Sequence, residues 1–469
     1  MKKLPPVEIE EKLATFLIGV DTLFGGDALH ESGAHHFIAD QWASGMKPPE
    51  IYDDEFSKAA RGETSWTGRS GGSILSDSDA VNSFVERYGL GELFDDISKF
   101  PVRSNELSID DHSNLLRLGK CLDVMLRTRL AMINGEELPS FDERYQAATA
   151  SSDEPRIRSI SKEKDILREN LAKAGYEVTG SRDLLETFEA WSADQKPLSI
   201  SEVKDKAEEI TRRLLTDMKE NIFTFLDFGL EDYAKDLSDV SFDGHRFELI
   251  SGVDFTGSSI YQGGEEDSRP LLRGLFEYNC DHPVNEIELT HLVGHEVIGH
   301  YLNAAVNDLL WRAGRLPFSS THGTMCTPDV VFQEGWAQNI FEIIYGSRER
   351  AAEVFGNNGK HLLVALAHDD LQDVAKHNVS IMHQRNGDGL AEVRKHAVDC
   401  VQTSPIVQKL SGSWARHPII GPMYGPAYLR GRETVNEAIE TFGNLAVARV
   451  GYHLKGRVDI KTFEAKVNS

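Results

Sequence analysis

The sequence has few cysteines and no long hydrophobic run, and both absences narrow the class of protein. Its four cysteines lie far apart and form no C-x-x-C pair: Cys121, Cys280, Cys326 and Cys400. This pattern argues against a secreted disulfide framework and against a zinc site built on thiolates. No stretch approaches the roughly 20 apolar residues that a transmembrane helix needs. We therefore expect a protein of a reducing compartment, the cytoplasm.

The opening segment does not have the pattern of a signal peptide, and basic residues are fewer than acidic ones. The opening segment MKKLPPVEIEEKLATFLIGVDTLFGG lacks an uninterrupted apolar core, because Glu8, Glu10 and Glu11 interrupt it. Lys and Arg number 50 against 75 Asp and Glu, for a net charge of −25. Nucleic acids and anionic membranes are bound through clustered Lys and Arg. We therefore expect neither as a partner.

Helical periodicity dominates what is present. Apolar residues recur at three- and four-residue spacing in both halves of the chain, for example in PVEIEEKLATFLIGVDTLF and KHLLVALAHDDLQDVAKHNVSIMH. Ser108, followed by acidic residues, has the pattern of a helix N-cap. The stretch WTGRSGGSILSDSD has neither the preceding strand nor the G-K-[ST] of a phosphate loop and predicts a plain loop. Three β-leaning segments, HRFELISGV, GSSIYQGG and GLFEYN, predict one small antiparallel sheet in a mainly α protein.

The strongest chemical signal is GHEVIGHYLNAAVND, which spans 294–308 and directly follows the predicted sheet. It is similar to the His-Glu-x-x-His zinc motif, but His295 and His300 are five residues apart rather than four. On a regular α-helix each residue turns roughly 100°, so a five-residue step misses the starting face by about 140°. A single π-type turn would return both histidines to one face, and Gly299 makes that distortion less costly. We therefore predict a π-bulged metal helix.

The motif predicts hydrolytic zinc chemistry. Zinc hydrolases use three protein ligands and keep a fourth position for water, and a carboxylate beside a ligand can accept the proton of that water. Glu296 is placed to be this base. The later segment FQEGWAQNI supplies Glu334 as a third ligand, flanked by small residues that suit a close helix contact. We expect one Zn²⁺ per chain, bound by His295, His300 and Glu334.

Two other interpretations of the helix stay open. One is a regular helix that carries two ordinary histidines and a surface glutamate. The other uses His291 and His295, which have the undistorted four-residue spacing. On that second interpretation, Glu296 is misplaced as a base relative to both ligands. His291 is therefore expected beside the ligands or in the core.

A third segment, HPIIGPMYGPAYLRGRE, offers hydrogen-bond donors. Amide hydrolysis builds negative charge on the carbonyl oxygen, which a donor besides the metal stabilises. Tyr424, Tyr428 and His417 lie in a Gly/Pro-rich loop that enters a helix, a placement that can direct side chains into a cleft. Spacing alone does not choose between the two tyrosines.

Together, HEVIGHYLN, FQEGWAQ and PMYGPAYLRG resemble the gluzincin-like bacterial proteins of domain-of-unknown-function family 885. Those proteins carry a H-E-x-x-P-G-H helix, an E-G-W-A helix and a P-x-x-x-x-x-Y-x-x-G segment, whose spacing Pro422, Tyr428 and Gly431 fit. The histidines here are one residue closer, and Ile298 stands where that family has proline. The segments also match the H-E-x-x-x-H, Q-E-G-L-A and Y-L-x-G motifs of tubulin-tyrosine-carboxypeptidase-like gluzincins.

The resemblance covers roughly residues 244–435 and implies a zinc metallopeptidase fold in which helices wall a deep cleft. On this basis residues 1–240 form an N-terminal helical region that walls or covers the cleft, and residues 241–469 form a gluzincin-like catalytic region. The resemblance also implies roles for single residues. His295, His300 and Glu334 bind zinc, Glu296 is the base, and Tyr428 is the oxyanion donor.

We therefore expect a zinc-dependent hydrolase of peptide or related amide bonds, acting on short peptides or chain termini as a carboxypeptidase or dipeptidase does. Arg430, Arg432 and Arg273 are candidates for holding a substrate carboxylate, and Tyr424 and His417 are further candidates for substrate binding. Two alternatives are a metal-dependent tailoring enzyme for a small molecule or peptide natural product, and a binding protein on a degenerate peptidase fold. An intact base argues against the last.

Overall fold

The computed structural model describes residues 7–30, 32–42, 49–62, 74–99, 109–179, 183–226, 245–253, 255–266, 269–454 and 459–469. The predicted N-cap at Ser108 and residues 63–73, which contain most of the predicted Gly/Ser-rich loop, lie outside this part of the chain. The predicted boundary at residue 240 also lies outside it.

The described residues are mainly helical, which confirms the predicted fold class. The α-helices of the N-terminal half span Val7–Leu23, Glu55–Gly62, Ser78–Arg87, Leu90–Lys99, Ile109–Asn134, Phe141–Thr149, Ser161–Lys173, Leu184–Asp194 and Ile200–Asn221. Those of the C-terminal half span Glu286–Val293, Leu302–Arg312, Pro328–Gln338, Ile340–Tyr345, Arg348–Phe355, Gly359–Ser380, Leu390–Asp399, Ser404–Lys409, Gly425–Phe442, Asn444–Leu454 and Ile460–Val467. The π-helical segments are Gly294–Tyr301, Ile381–Arg385, Leu410–Trp414 and Ile420–Tyr424. Short 3₁₀ turns span Gly33–His35, Glu50–Tyr52, Phe223–Phe225, Phe318–Thr321 and Gly356–Asn358.

Four helical segments carry the residues of the candidate site. The histidine helix runs continuously through Glu286–Val293, Gly294–Tyr301 and Leu302–Arg312. The glutamate helix is Pro328–Gln338, and the aspartate helix is Gly359–Ser380. The tyrosine helix is Gly425–Phe442, with the π-turn Ile420–Tyr424 leading into it.

The predicted small sheet is present, but it is mixed rather than antiparallel. The strands are β1 (Ala39–Trp42), β2 (His245–Ile250), β3 (Gly257–Tyr261), β4 (Glu265–Glu266), β5 (Arg269–Pro270), β6 (Gly274–Asn279) and β7 (His322–Thr324). The three-stranded sheet has the order β2-β6-β3, in which β6 pairs parallel with β2 and antiparallel with β3. Two further antiparallel pairs join β1 to β7 and β4 to β5.

The most buried strand, β6, takes the central position of this sheet, between β2 and β3. All six residues of β6 are buried, as expected for a strand covered on both faces. The chain therefore crosses from β2 on one side of β6 to β3 on the other. The amide of Asn279, at the end of β6, holds this crossing by donating to the carbonyls of Val253 and Phe255, both at 2.9 Å.

A short connection leads from β6 into the histidine helix. Asn285 caps that helix, since its side chain accepts from the backbone N–H groups of Ile287 and Glu288 at 2.9 and 3.0 Å. The Glu288 carboxylate accepts in return from the backbone N–H of Asn285 at 3.2 Å. This capping box fixes where the helix starts, and therefore where its histidines lie relative to the sheet.

Buried hydrophobic side chains of the described residues form two large clusters. One cluster gathers side chains from between residues 9 and 148 together with Cys326, Ile419 and Met423. A larger cluster runs from residue 167 to residue 463. The helices between residues 161 and 221 therefore pack with the C-terminal half.

All four cysteines are free thiols. In the part of the chain that the structure describes, no helix is long and apolar enough to cross a membrane.

Candidate metal centre

The predicted π-type turn is present at the two histidines. Residues Gly294–Tyr301 are π-helical between two regular α-helical stretches. As a result, the rings of His295 and His300 meet edge to face, with their centroids 4.7 Å apart. Their Nε2 atoms are 3.1 Å apart, so a five-residue spacing places both nitrogens on one face.

Small residues let three helices approach closely behind these rings. A Cβ atom added to Gly299 would lie 2.6 Å from the Cβ atom of Ala337 on the glutamate helix. A Cβ atom on Gly335 would lie 2.3 Å from the carbonyl carbon of Gly431 on the tyrosine helix. Real Cβ atoms do not come this close, so glycine is required at both positions. These contacts bring the histidine, glutamate and tyrosine helices together at Glu334.

Three side-chain atoms form a triangle close in size to that of a zinc site. Glu334 Oε2 lies 3.4 Å from His295 Nε2 and 3.7 Å from His300 Nε2, and the two nitrogens are 3.1 Å apart. Tetrahedral ligands at about 2.0–2.2 Å from zinc are separated from one another by about 3.3–3.6 Å. Among the described residues, these three side chains form the one cluster of metal-binding groups.

The state of the Glu334 carboxylate also suits a bound cation. Its Oε2 atom is buried and has no hydrogen-bond partner within the described residues, a costly arrangement unless something else satisfies it. Burial alone raises the pKa of this carboxyl, but His295 and His300 outweigh burial and hold the pKa far below its ordinary value. The oxygen is therefore anionic and available to a cation.

Sequence reasoning missed the residue that orients the first ligand. Gln338 Oε1 lies 3.2 Å from His295 Nδ1, while Gln338 Nε2 donates to Asp369 Oδ2 at 2.8 Å and to Asp373 at 3.1 Å. Because both aspartates take the amide N–H groups, the amide oxygen faces the histidine and accepts from Nδ1–H. Nε2 then carries the lone pair that a metal requires.

The aspartate helix extends this support away from the ligands. Arg432 Nε donates to Asp373 Oδ2 at 3.2 Å. His291 Nε2 lies 3.7 Å from Asp369 Oδ2, and the His291 ring is 6.5 Å from the His295 ring. Burial lowers the pKa of His291. The structure thus places His291 beside the ligands rather than among them.

The two tyrosines take different positions at the site. Tyr424 donates to Glu334 Oε1 at 2.8 Å, and the hydroxyl oxygens of Tyr424 and Tyr428 are 2.7 Å apart. Since Tyr424 has one proton and gives it to a carboxylate, Tyr428 is the donor between the two hydroxyls. Burial, together with the charges of Glu334 and Glu296, raises the pKa of Tyr428, so its hydroxyl keeps its proton.

A single cavity of about 560 Å³ exposes the cluster. Glu296, the three candidate ligands and both tyrosines line it. The N-terminal half also contributes wall residues: Gly33, His36, Phe37, Phe188, Trp191 and Ser192. The volume is that of a pocket for a small ligand or a short peptide.

His417 does not belong to this cavity wall, so the suggested role in substrate binding needs correction. Its Nδ1 atom accepts from the backbone N–H groups of Ile419 and Ile420, both at 3.2 Å. Burial lowers the pKa of His417 to about 4, with a smaller contribution from Arg129 and Arg144. The side chain therefore shapes the turn that leads to the tyrosines.

The three candidate arginines also point elsewhere. Arg430 pairs with Glu464 at 3.4 Å, Arg432 supports Asp373, and Arg273 is exposed. Each lies outside the set of side chains that line the cavity. They were chosen because a guanidinium suits a carboxylate, and sequence spacing did not show which helix face they occupy.

The chain was compared with protein-family models, curated proteins and solved structures, and one solved structure supports its fold. No protein-family model matches the chain, and no curated protein matches it. A solved structure described as a candidate lipoprotein from Colwellia psychrerythraea is similar, with a TM-score of 0.50 and 13% identity over 83% of this chain and 69% of that one. A candidate lipoprotein of unknown function from Shewanella oneidensis has a TM-score of 0.46 and 14% identity over 90% and 80% of the two chains.

Proposed function

We propose that this protein is a zinc-dependent hydrolase of peptide or related amide bonds, a gluzincin-like metallopeptidase that acts on short peptides or chain termini. The observation that carries the proposal is the triangle of His295 Nε2, His300 Nε2 and Glu334 Oε2, with edges of 3.1, 3.4 and 3.7 Å. An unsatisfied buried carboxylate oxygen at one corner supports a cation there.

The remaining groups suit hydrolysis. Zinc, when bound, makes water acidic enough to supply hydroxide near neutral pH and polarises a carbonyl group. Glu296 follows the first ligand directly and lines the same cavity, so its carboxylate can accept the proton of the attacking water and pass it to the leaving amine. Without substrate, Tyr428 donates its one proton to the Tyr424 hydroxyl. With substrate bound, the Tyr428 hydroxyl can turn to donate to the oxygen on which negative charge develops.

Two groups hold the ligands in place. Gln338 fixes the tautomer of His295, and Tyr424 occupies Glu334 Oε1, which leaves Oε2 directed towards the histidines. Such outer partners orient ligands and typically change metal affinity by about 10–100-fold. Their presence favours a working centre over a decayed one.

The test is to measure metal content and then cleavage. The purified protein should contain one zinc ion per chain by elemental analysis, and it should cleave members of a blocked short-peptide library detected by mass spectrometry. A His300→Ala variant is the control for the metal, and it should lose both zinc and cleavage. Zinc without cleavage of any peptide would favour a tailoring enzyme for another amide, and absence of zinc would contradict the proposal.

A further inference from the structure

Two lysines line the cavity where the sequence suggested arginines. They are Lys376 on the aspartate helix and Lys409. The side chain of Lys376 is 10% exposed, and its Nζ atom lies 3.5 Å from the centroid of the Tyr428 ring and 5.5 Å from that of Trp414. Burying an ammonium group costs free energy, so the position of Lys376 over the ring of Tyr428, the proposed oxyanion donor, calls for an explanation.

Backbone packing fixes this position. The aspartate helix presents one face to the cavity, with Asp369 near the ligands and Lys376 seven residues further along, which is about 10 Å at 1.5 Å per residue. A Cβ atom on Gly425 would lie 2.7 Å from the carbonyl oxygen of Lys376. The start of the tyrosine helix therefore rests directly on the backbone that carries the ammonium group.

The hydrogen bond between Lys376 and Asp373 is long. The charge of Lys376 acts on Asp369 as well, and Nζ donates to Asp373 Oδ1 at 3.5 Å. The same carboxylate accepts from Gln338 Nε2 at 3.1 Å and from Arg432 Nε at 3.2 Å. An ammonium group has three N–H donors, and neither a long contact nor an aromatic face saturates them.

We propose that Lys376 binds a carboxylate of the substrate that lies within one residue of the scissile amide bond; this inference rests on the proposed function. The ammonium group lies over the ring of Tyr428, 3.5 Å from its centroid, and consecutive Cα atoms of a peptide are about 3.8 Å apart. A substrate whose scissile carbonyl faces the Tyr428 hydroxyl would therefore bring a residue next to that carbonyl within reach of Lys376. The carboxylate can be a free C-terminus or an Asp or Glu side chain.

The experiment compares matched substrates. N-acetylated peptides are prepared as free acid and as C-terminal amide, and a second pair carries Glu or Gln beside the scissile bond with the terminus amidated. The rate ratio within a pair does not depend on the folded or zinc-loaded fraction of a variant. A hydrogen bond to a charged group predicts that the wild-type protein prefers the carboxylate member of one pair by about 10- to 100-fold.

Three variants decide whether Lys376 causes that preference. Lys376→Met should reduce the ratio to near one, and Lys376→Arg, which keeps the charge, should retain most of it. Lys409→Met, the matched control on the same wall, should leave the ratio unchanged. Preference in the acid and amide pair identifies a C-terminal carboxylate, and preference in the Glu and Gln pair identifies a side chain.

The inference is overturned if the wild-type protein shows no preference in either pair, or if the preference survives in Lys376→Met. Failure of the proposed function gives a different result, because no peptide is then cleaved. In that case calorimetry of the same pairs with the wild-type protein and Lys376→Met replaces the rates. A carboxylate preference in affinity that Lys376→Met abolishes still supports the anion site, and equal or absent binding overturns it.

Discussion

The two walls of the cavity are held in different ways. The wall behind the ligands is held through side chains, because Gln338 joins His295 to Asp369 and Asp373, and Arg432 closes the network. The N-terminal wall is held through its backbone. Asp21 Oδ1 accepts three backbone N–H groups at 2.7–3.0 Å, those of Phe37, Ile38 and Ala39.

A second buried carboxylate anchors the same N-terminal segment. Glu277 in β6 accepts from the Ser32 hydroxyl and from the backbone N–H of Gly33. Backbone anchors fix where a segment lies, whereas side-chain networks fix how a ring is turned and which nitrogen carries a proton. We therefore expect substitutions in the wall behind the ligands to alter zinc binding and turnover. Substitutions in the N-terminal wall should lower the free energy of unfolding.

The largest effect is expected at the base on the ligand wall. Glu296→Gln keeps the shape of the side chain and removes the proton acceptor, so turnover should fall by about 10²–10⁴-fold. Zinc stoichiometry should stay at one per chain, because Glu296 is not proposed as a ligand. Steady-state kinetics and elemental analysis of the same sample check both points. Loss of zinc, or wild-type turnover, would show that the role is wrong.

Tyr428→Phe should come next, with turnover lower by about 10²–10³-fold because one oxyanion donor is lost. Zinc affinity and KM should change far less, since the hydrogen bond strengthens mainly as charge develops. Tyr424→Phe is the matched comparison and should weaken zinc binding, because Tyr424 donates to Glu334. A large loss of turnover in Tyr424→Phe at full zinc occupancy, with Tyr428→Phe near normal, would reverse the two roles.

Gln338→Leu should lower zinc affinity by about 10–100-fold through loss of the acceptor on His295 Nδ1. Competition with a zinc chelator measures the change.

Asp21→Ala is the counterpart on the N-terminal wall. It should lower the free energy of unfolding by about 2–4 kcal/mol, because three backbone N–H groups lose their acceptor, and zinc affinity should hold. If the two variants affected the same quantity, the distinction between the walls would fail.

The smallest effect concerns pH. The pKa of His417 is lowered to about 4 from an ordinary 6.5, chiefly by burial. Between pH 6.5 and pH 4, His417 is therefore protonated in the unfolded chain but neutral in the folded chain. Stability from this group is complete above pH 6.5 and is lost as pH falls towards 4, by about 1–3 kcal/mol. His417→Asn keeps an acceptor for Ile419 and Ile420, and it should flatten that part of the denaturation profile. An unchanged slope would contradict this assignment.

Local signals predicted one part of the site. The five-residue histidine spacing required a π-type turn, the E-G-W-A motif indicated Glu334, and the structure brings the three side chains together. Gln338 stands four residues after Glu334 on the same helix face, and this spacing could have revealed it.

The remainder depended on tertiary packing. Asp369, Asp373 and Lys376 belong to no motif. Only the structure shows that Asp369 and Lys376 line the cavity and that Asp373 accepts from Gln338. The parallel pairing of β2 with β6 depends on Asn279 and on a crossing that strand propensity does not encode. The partners of Arg430 and Arg432, which are Glu464 and Asp373, likewise depend on helix packing that the sequence does not show.

The most direct test of the central claim is a crystal structure of the zinc-loaded protein with anomalous data collected at the zinc absorption edge. The account predicts one strong anomalous peak per chain at about 2.0–2.2 Å from His295 Nε2, His300 Nε2 and Glu334 Oε2. The π-helical turn Gly294–Tyr301 should be retained. A peak on other residues, or no peak at the triangle under saturating zinc, would contradict it.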